Sequence, residues 1–261
     1  MHNRVMFACS SILVLTLAVS CGGGGNSTTN LPPAEGGGAA GGAAAPAATA
    51  TVTGKIAFEG TAPANEKIQM SADPYCQMQN PNAVTELVKV SDGGLENVIV
   101  FVKSAPAAAY PTPAEPVIID QKGCHYAPHV FTMQTNQPLK VKNSDATLHN
   151  IHAWAEKNTP FNIGQPVQNM ETTKTFTTEE VPLPIRCDVH KWMGAFVGVF
   201  THPYHTVSKG GGAYELKLPA GNYEIVAWHE MYGQQSQMVT VSENGKADLN
   251  FTFKADAKAS D

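Results

Sequence analysis

From residue 51 onward the chain alternates apolar and polar residues with a period of two. Val52, Ile56 and Phe58 alternate in "TVTGKIAFEG", and Leu139 and Val141 alternate with lysines in "PLKVKN". Tyr214, Leu216 and Leu218 alternate with Glu215 and Lys217, and Leu249, Phe251 and Phe253 alternate near the end. That period places apolar side chains on one face of a strand. No stretch carries a convincing 3.6-residue period, which argues against bundles and against alternating helix–strand folds. Gly and Pro turn signals ("SDGG", "NQP", "LPAGN", "SENGK") separate the runs. Two continuous apolar runs, "NVIVFVK" and "GAFVGVF", suit strands covered on both faces. The expected class is all-β, built as β-sandwiches.

The N-terminus reads as an export signal. Arg4 gives a basic start, and "MFACSSILVLTLAV" (6–19) is apolar or small and uncharged. Such a run is shorter than the roughly 20 residues a spanning helix needs, and suits a signal sequence. "LAVSC" resembles a bacterial lipobox, which implies lipidation of Cys21. Gly22 after that cysteine suggests an outer membrane. Residues 21–50 then form a Gly/Ala-rich segment that cannot bury enough apolar surface to order itself. As a tether it would reach roughly 30 Å. Residues 255–261 are a short tail. The expected location is therefore exported and lipid-anchored, facing the periplasm or the cell surface, with the lipid as the only membrane contact.

The chain has five cysteines. Cys9 leaves with the signal and Cys21 carries lipid. Cys76, Cys124 and Cys187 remain, an odd number in a compartment that favours disulfides. Cys76 and Cys124 are the expected pair, worth roughly 4 kcal/mol through loop closure. Its loss is expected to lower stability and leave any metal site untouched. Cys187 is then free, and a free exported thiol is oxidised unless something occupies it. Charge adds little: 17 Lys and Arg against 22 Asp and Glu give a net −5, with no basic stripe for nucleic acid.

Cys187 opens "CDVHKWM", which places Cys187, His190 and Met193 on one short loop before the run "GAFVGVF". Upstream, "NSDATLHNIHAWA" presents His149 just after the strand "PLKVKN" and a turn. Copper that shuttles one electron asks for two imidazoles and a thiolate, with a weak axial thioether. One ligand on a distant strand and three on one tight loop would supply that set.

These residues resemble the cupredoxins, the small blue copper proteins. The resemblance implies His149 and His190 as imidazole ligands, Cys187 as thiolate and Met193 as axial ligand of one copper ion. It also implies that Asn150 ties the two ligand-bearing segments together through hydrogen bonds. The bulky pair Lys191-Trp192 inside the loop departs from the pattern. Separately, "TVTGKIAFEGTAP", "GGLENVIVFVK" and "GGGAYELKLPAGNYEIVAWHE" resemble a carboxypeptidase regulatory-like domain, a transthyretin-like sandwich that serves as scaffold. Its pieces are split, so the expected organisation is a sandwich of 51–111 plus 205–254, with a Greek-key copper domain at 112–204 inserted into it or fused with it.

His152 is an alternative ligand to His149, although in a strand the two point to opposite faces. His125 and His129 in "GCHYAPHV" read as turn and strand residues, with a second metal site as the alternative. His202, His205 and His229 read as surface or domain-interface residues, and Trp154 and Trp228 as core. The expected function is single-electron transfer to a transient exported partner. By resemblance, the exposed edge of His190 would be the port, within an apolar patch including Trp192 and Met193. No enzymatic activity and no small-molecule substrate is expected. A copper storage, delivery or sensing protein would use the same ligands, and a metal-free adhesion or scaffold module would use none. A thiol hydrolase built on Cys187 would leave Met193 without a role.

Overall fold

The computed structural model describes residues 43–256. The signal at 1–20, Cys21, the tether up to residue 42 and the tail from residue 257 lie outside the described residues. Residues 43–49 were expected to belong to the tether, but they are placed against the folded body. Ala44 bridges Ala109, and the Ala109 N–H donates to Ala43 O at 3.0 Å, a backbone approach that small alanines permit.

The regular structure is nearly all strand, as the alternation requires. Four sheets form two sandwiches. In the first, the strand Ala50–Glu59 runs antiparallel to Ala213–Leu218 and parallel to Lys246–Asp248 and Phe251–Lys254. The other sheet orders His205–Val207, Ile99–Val102, Gly221–His229 and Gly233–Val241. Val52, Ile56, Val100, Val102, Leu216, Ile225 and Phe251 share the core between them. Gly54 is fixed by packing: a Cβ there would lie 1.8 Å from Leu249 O, which also accepts the Tyr214 hydroxyl. The Tyr223 hydroxyl donates to Pro219 O at 3.1 Å and holds the "LPAGN" turn.

The second sandwich has a sheet ordered Phe161–Gln165, His149–Ala153, Glu180–Arg186, Gly194–Phe200, Val130–Gln134. Its partner orders Glu171–Lys174, Leu139–Asn143, Val117–Gln121 and Tyr126–Ala127. Leu139, Val141, Ile151, Ile185, Val197 and Val199 fill the core. Met70, Cys76 and Ala83 also pack here, although they fall within 51–111. They belong to a segment that contains the short helix Pro74–Gln79. Asp73 caps that helix, its Oδ1 accepting from the N–H of Tyr75 (2.8 Å) and Cys76 (3.3 Å), with Pro74 opening it. Six residues are too few to show a helical period, so alternation gave no warning of it.

The two continuous apolar runs back onto each other. Val100 and Val102 face the first core, and Val197 and Val199 the second. Ile99, Phe196 and Phe200 meet Val130 in a seam between them, with Trp228 against Phe196 at 5.3 Å between ring centroids. Each such fully buried side chain stabilises by about 1.5–3 kcal/mol.

Three expectations need correction. Trp154 is not core: it follows the end of its strand and is 54% exposed, with His152 edge-on to its ring. Trp228 is only partly buried, because it lies in the seam. Of the surface and interface readings, the surface one fails: His202 is buried between Tyr204 and Phe200 of the seam, and His229 is buried beside Tyr232.

Candidate metal centre

The strand pair Glu180–Arg186 and Gly194–Phe200 is a hairpin whose last register pair is Arg186 with Gly194. Its loop is therefore the ligand-rich segment, residues 187–193. The loop is closed by its own backbone: Cys187 N–H donates to Met193 O (3.2 Å) and Met193 N–H to His190 O (2.9 Å). His149 begins the neighbouring strand, which pairs with the hairpin through Ala153–Ile185 and His152–Arg186. Sheet pairing thus carries the distant histidine to the loop.

His149, Cys187 and His190 are all buried, and one donor atom of each lies within 4.8 Å of the others. His149 Nδ1 faces His190 Nδ1 at 2.9 Å, and Cys187 Sγ lies 3.9 Å from His190 Nδ1. The outer nitrogens are tied to carboxylates. His149 Nε2 donates to Asp145 Oδ2 at 2.9 Å, and His190 Nε2 to Asp73 Oδ2 at 2.9 Å. These partners assign the tautomers: each ring proton sits on Nε2, and each Nδ1 presents a bare lone pair. In the neutral rings two lone pairs and a sulfur converge, and they repel unless a proton or a metal ion lies between them. A cation between them resolves that conflict, and an N,N,S set suits copper.

Met193 is buried in the same core, with Cys187. Asn150 bridges the segments: its Oδ1 accepts from the N–H of Asp188 (2.7 Å) and Val189 (3.3 Å) and lies 3.3 Å from Cys187 Sγ. His152 is not brought to the cluster. It faces outward on the opposite side of the strand and pairs with Asp188 at 3.0 Å. Cys76 and Cys124 form a disulfide, and Cys187 is the free cysteine among the described residues. The disulfide takes both cysteines out of two further groupings, Asp73–Cys76–His190 and Cys124–Asp145–His149, as ligands.

Without a metal, electrostatics favours a thiolate beside protonated imidazole, so an entering cation would displace a ring proton. Burial by itself raises the Cys187 thiol, but hydrogen bonds to His149 and His190 outweigh it and bring the thiol down to about 6. Burial opposes charge on His149 too, yet hydrogen bonds to Asp145 and Cys187 raise it. Burial likewise opposes ionisation of Asp145, and the His149 ring with the N–H groups of Cys124 and Gly123 lowers it.

The expected port is covered. His190 is 2% exposed and Met193 1%. The cause is the helix Pro74–Gln79, which lies over the outer edge of His190 with Cys76 Sγ 3.7 Å from Nε2. The disulfide pins this helix, and the Thr147 hydroxyl donates to Asp73 Oδ2 at 2.9 Å. Trp192 is half-buried, its Nε1–H donating to Cys124 O at 3.1 Å. Sequence reasoning missed both carboxylates. Asp145 stands four residues before His149, a local spacing that could have marked it, whereas Asp73 is remote in sequence from His190 and leaves no such trace.

No family model matches the chain, and no curated protein is significantly similar to it. Among solved structures it is similar to amicyanin in its Cu(I) form, at 20% identity and TM-score 0.30, over 38% of this chain and 97% of that one. It is similar to a copper-containing nitrite reductase from Thermus scotoductus SA-01, at 18% identity and TM-score 0.31, over 38% of this chain and 25% of that one. A purple cupredoxin from Nitrosopumilus maritimus gives 18% identity and TM-score 0.28, over 31% of this chain and 97% of its own. Each likeness covers well under half of the present chain.

Proposed function

We propose that this chain is an exported, lipid-anchored type 1 copper protein that carries single electrons between redox partners. One observation carries the reading: the Nδ1 atoms of His149 and His190 and the sulfur of Cys187 converge in a buried space, with both outer nitrogens already used by carboxylates. His149, Cys187 and His190 would hold the ion, with Met193, buried in the same core, as the candidate thioether donor. Copper bound there supplies a one-electron couple. Asp145 and Asp73 hold the two rings with Nδ1 inward. Asn150 locks the Cys187 loop to the His149 strand. The rigid double sandwich keeps one donor arrangement in both oxidation states, and burial excludes water from the sulfur. The protein is a carrier and not an enzyme.

Visible and paramagnetic-resonance spectra of the copper-reconstituted chain test this. An intense thiolate-to-copper band with a narrow parallel hyperfine splitting is the expected result. A colourless chain that binds no copper ends the reading.

A second reading, copper storage or delivery, is favoured by the cover over His190. A sealed site would retain Cu(I) against oxidants and exchange electrons slowly. Rapid self-exchange of the coloured protein selects the first reading, and colourless Cu(I) held in air selects the second.

A further inference from the structure

We infer that Trp192 is the electron port of this site and that it opens into a cleft that takes a planar aromatic redox molecule bearing acid groups. The port rests on the copper reading above. The cleft stands on its own geometry.

Neither imidazole ligand reaches solvent. Asp145 closes the outer edge of His149, and Asp73 with Cys76 closes that of His190. Electron tunnelling falls steeply across gaps, so an exit must proceed by direct contact. The His190 ring touches one aromatic ring that leads outward, that of Trp192, at 5.0 Å between centroids and tilted 42°. The bond from Trp192 Nε1 to Cys124 O holds the indole in that pose. Tyr75 is the nearest alternative, but its hydroxyl faces Asp145 at 3.5 Å and its ring makes no stacking contact with either imidazole. The bulky Trp192, foreign to the ligand-loop pattern in the sequence, thereby acquires a role.

Trp192 lines a cleft of about 730 Å³, within the range of small-molecule sites. Arg186 and Lys191 also line it, and neither has a carboxylate within ion-pair distance among the described residues. Arg186 instead lies over the Phe196 ring at 4.8 Å. Of the cleft carboxylates, Glu230 is taken by His129, and Glu86 has no ion-pair partner among the described residues. An indole wall beside two free cations, against one free carboxylate, suits a flat anion. A hydroquinone or quinone bearing acid groups has that chemistry. One hydroquinone gives two electrons and two protons, leaves as the quinone, and reduces two chains in turn from Cu(II) to Cu(I), the protons passing to solvent.

Two measurements test this, both with anthraquinone-2,6-disulfonate. In the first, the metal-free chain is titrated with the quinone by calorimetry. Binding is expected, weakened at least five-fold in Lys191→Glu. Absence of binding, or binding unchanged in that variant, overturns the cleft assignment. In the second, the hydroquinone reduces the copper-loaded chain in stopped flow. Trp192→Leu is expected to slow reduction at least ten-fold with an unchanged visible spectrum, and Trp192→Phe, which keeps a ring against His190, to stay within three-fold of wild type. Rates for Trp192→Leu within two-fold of wild type overturn the port, as does a ten-fold loss in Trp192→Phe. A wild-type chain that takes up no copper overturns the carrier reading and the port with it, while the calorimetry still judges the cleft.

Discussion

His149 and His190 face each other through Nδ1 at 2.9 Å, from strand and loop segments that only folding brings together. Their outer nitrogens end on Asp145 and Asp73, so the pair is held from both sides. The donors are thus aimed by residues that do not themselves face the gap between them.

Replacing the sulfur should remove the colour. Cys187→Ser is expected to abolish the intense visible band of the copper-loaded chain. Met193→Leu is expected to keep the band and raise the reduction potential, because a weak donor to copper is lost. Absorption spectra and redox titration read both outcomes, and unchanged spectra in both variants would overturn the ligand assignment.

Asp145→Asn is expected to weaken copper binding about 10–100-fold, the usual effect of removing a hydrogen-bond partner from a ligating histidine. Asp73→Asn should act in the same direction on His190. Competition against a chelator of known affinity measures both. Affinities within two-fold of wild type would show that the carboxylates do not orient the rings.

The double variant Cys76→Ser/Cys124→Ser is expected to lose about 2–4 kcal/mol of stability in denaturant unfolding. The sequence alone suggested that the metal site would be untouched. The helix over His190 reverses that expectation: with the pin removed, His190 should gain solvent access, and electron exchange with small inorganic complexes should accelerate. Exchange rates equal to wild type would mean that the helix stays closed without the disulfide.

Glu180 offers a test at the opposite end of its strand from the Cys187 loop. Its buried carboxylate accepts from the N–H groups of Glu156 (2.7 Å), Lys157 (3.2 Å) and Asn158 (3.1 Å). Burial opposes its ionisation, but these hydrogen bonds win and hold it below the ordinary value of 4.5. A depressed folded value means stability fully present above the unfolded pKa and lost as pH falls through the folded one. Glu180→Gln should therefore cost about 1–3 kcal/mol at pH 7, and the penalty should shrink below about pH 4.5. Unfolding midpoints at several pH values check this, and a penalty independent of pH would refute it.

Much of this arrangement was legible in the sequence, because its signals are local. Period-two runs such as Tyr214–Leu218 become strands with the expected inward faces. Cys187, His190 and Met193 share one loop, and His149 follows a recognisable strand. What escaped was non-local. Asp73-Pro74 carries the cap-and-proline signature of a helix start, but nothing near it announces that Asp73 also reaches His190. The His190 edge is covered by Asp73 and Cys76 of that helix together, so an expectation of exposure drawn from resemblance failed. Trp154 was assigned to the core on residue type alone, yet it sits past the strand end, where alternation no longer governs direction.

The strand Gly194–Phe200 lends Val197 and Val199 to one core while Phe196 and Phe200 back against Ile99 of the other sandwich. Neither half can be excised cleanly. The sandwich that carries the His149–Cys187–His190 cluster, cut out alone, would bare its aromatic flank to solvent, and the remaining half would bare the opposing wall. Any minimal soluble version of this centre must therefore retain both sandwiches or repaint that shared partition with polar residues.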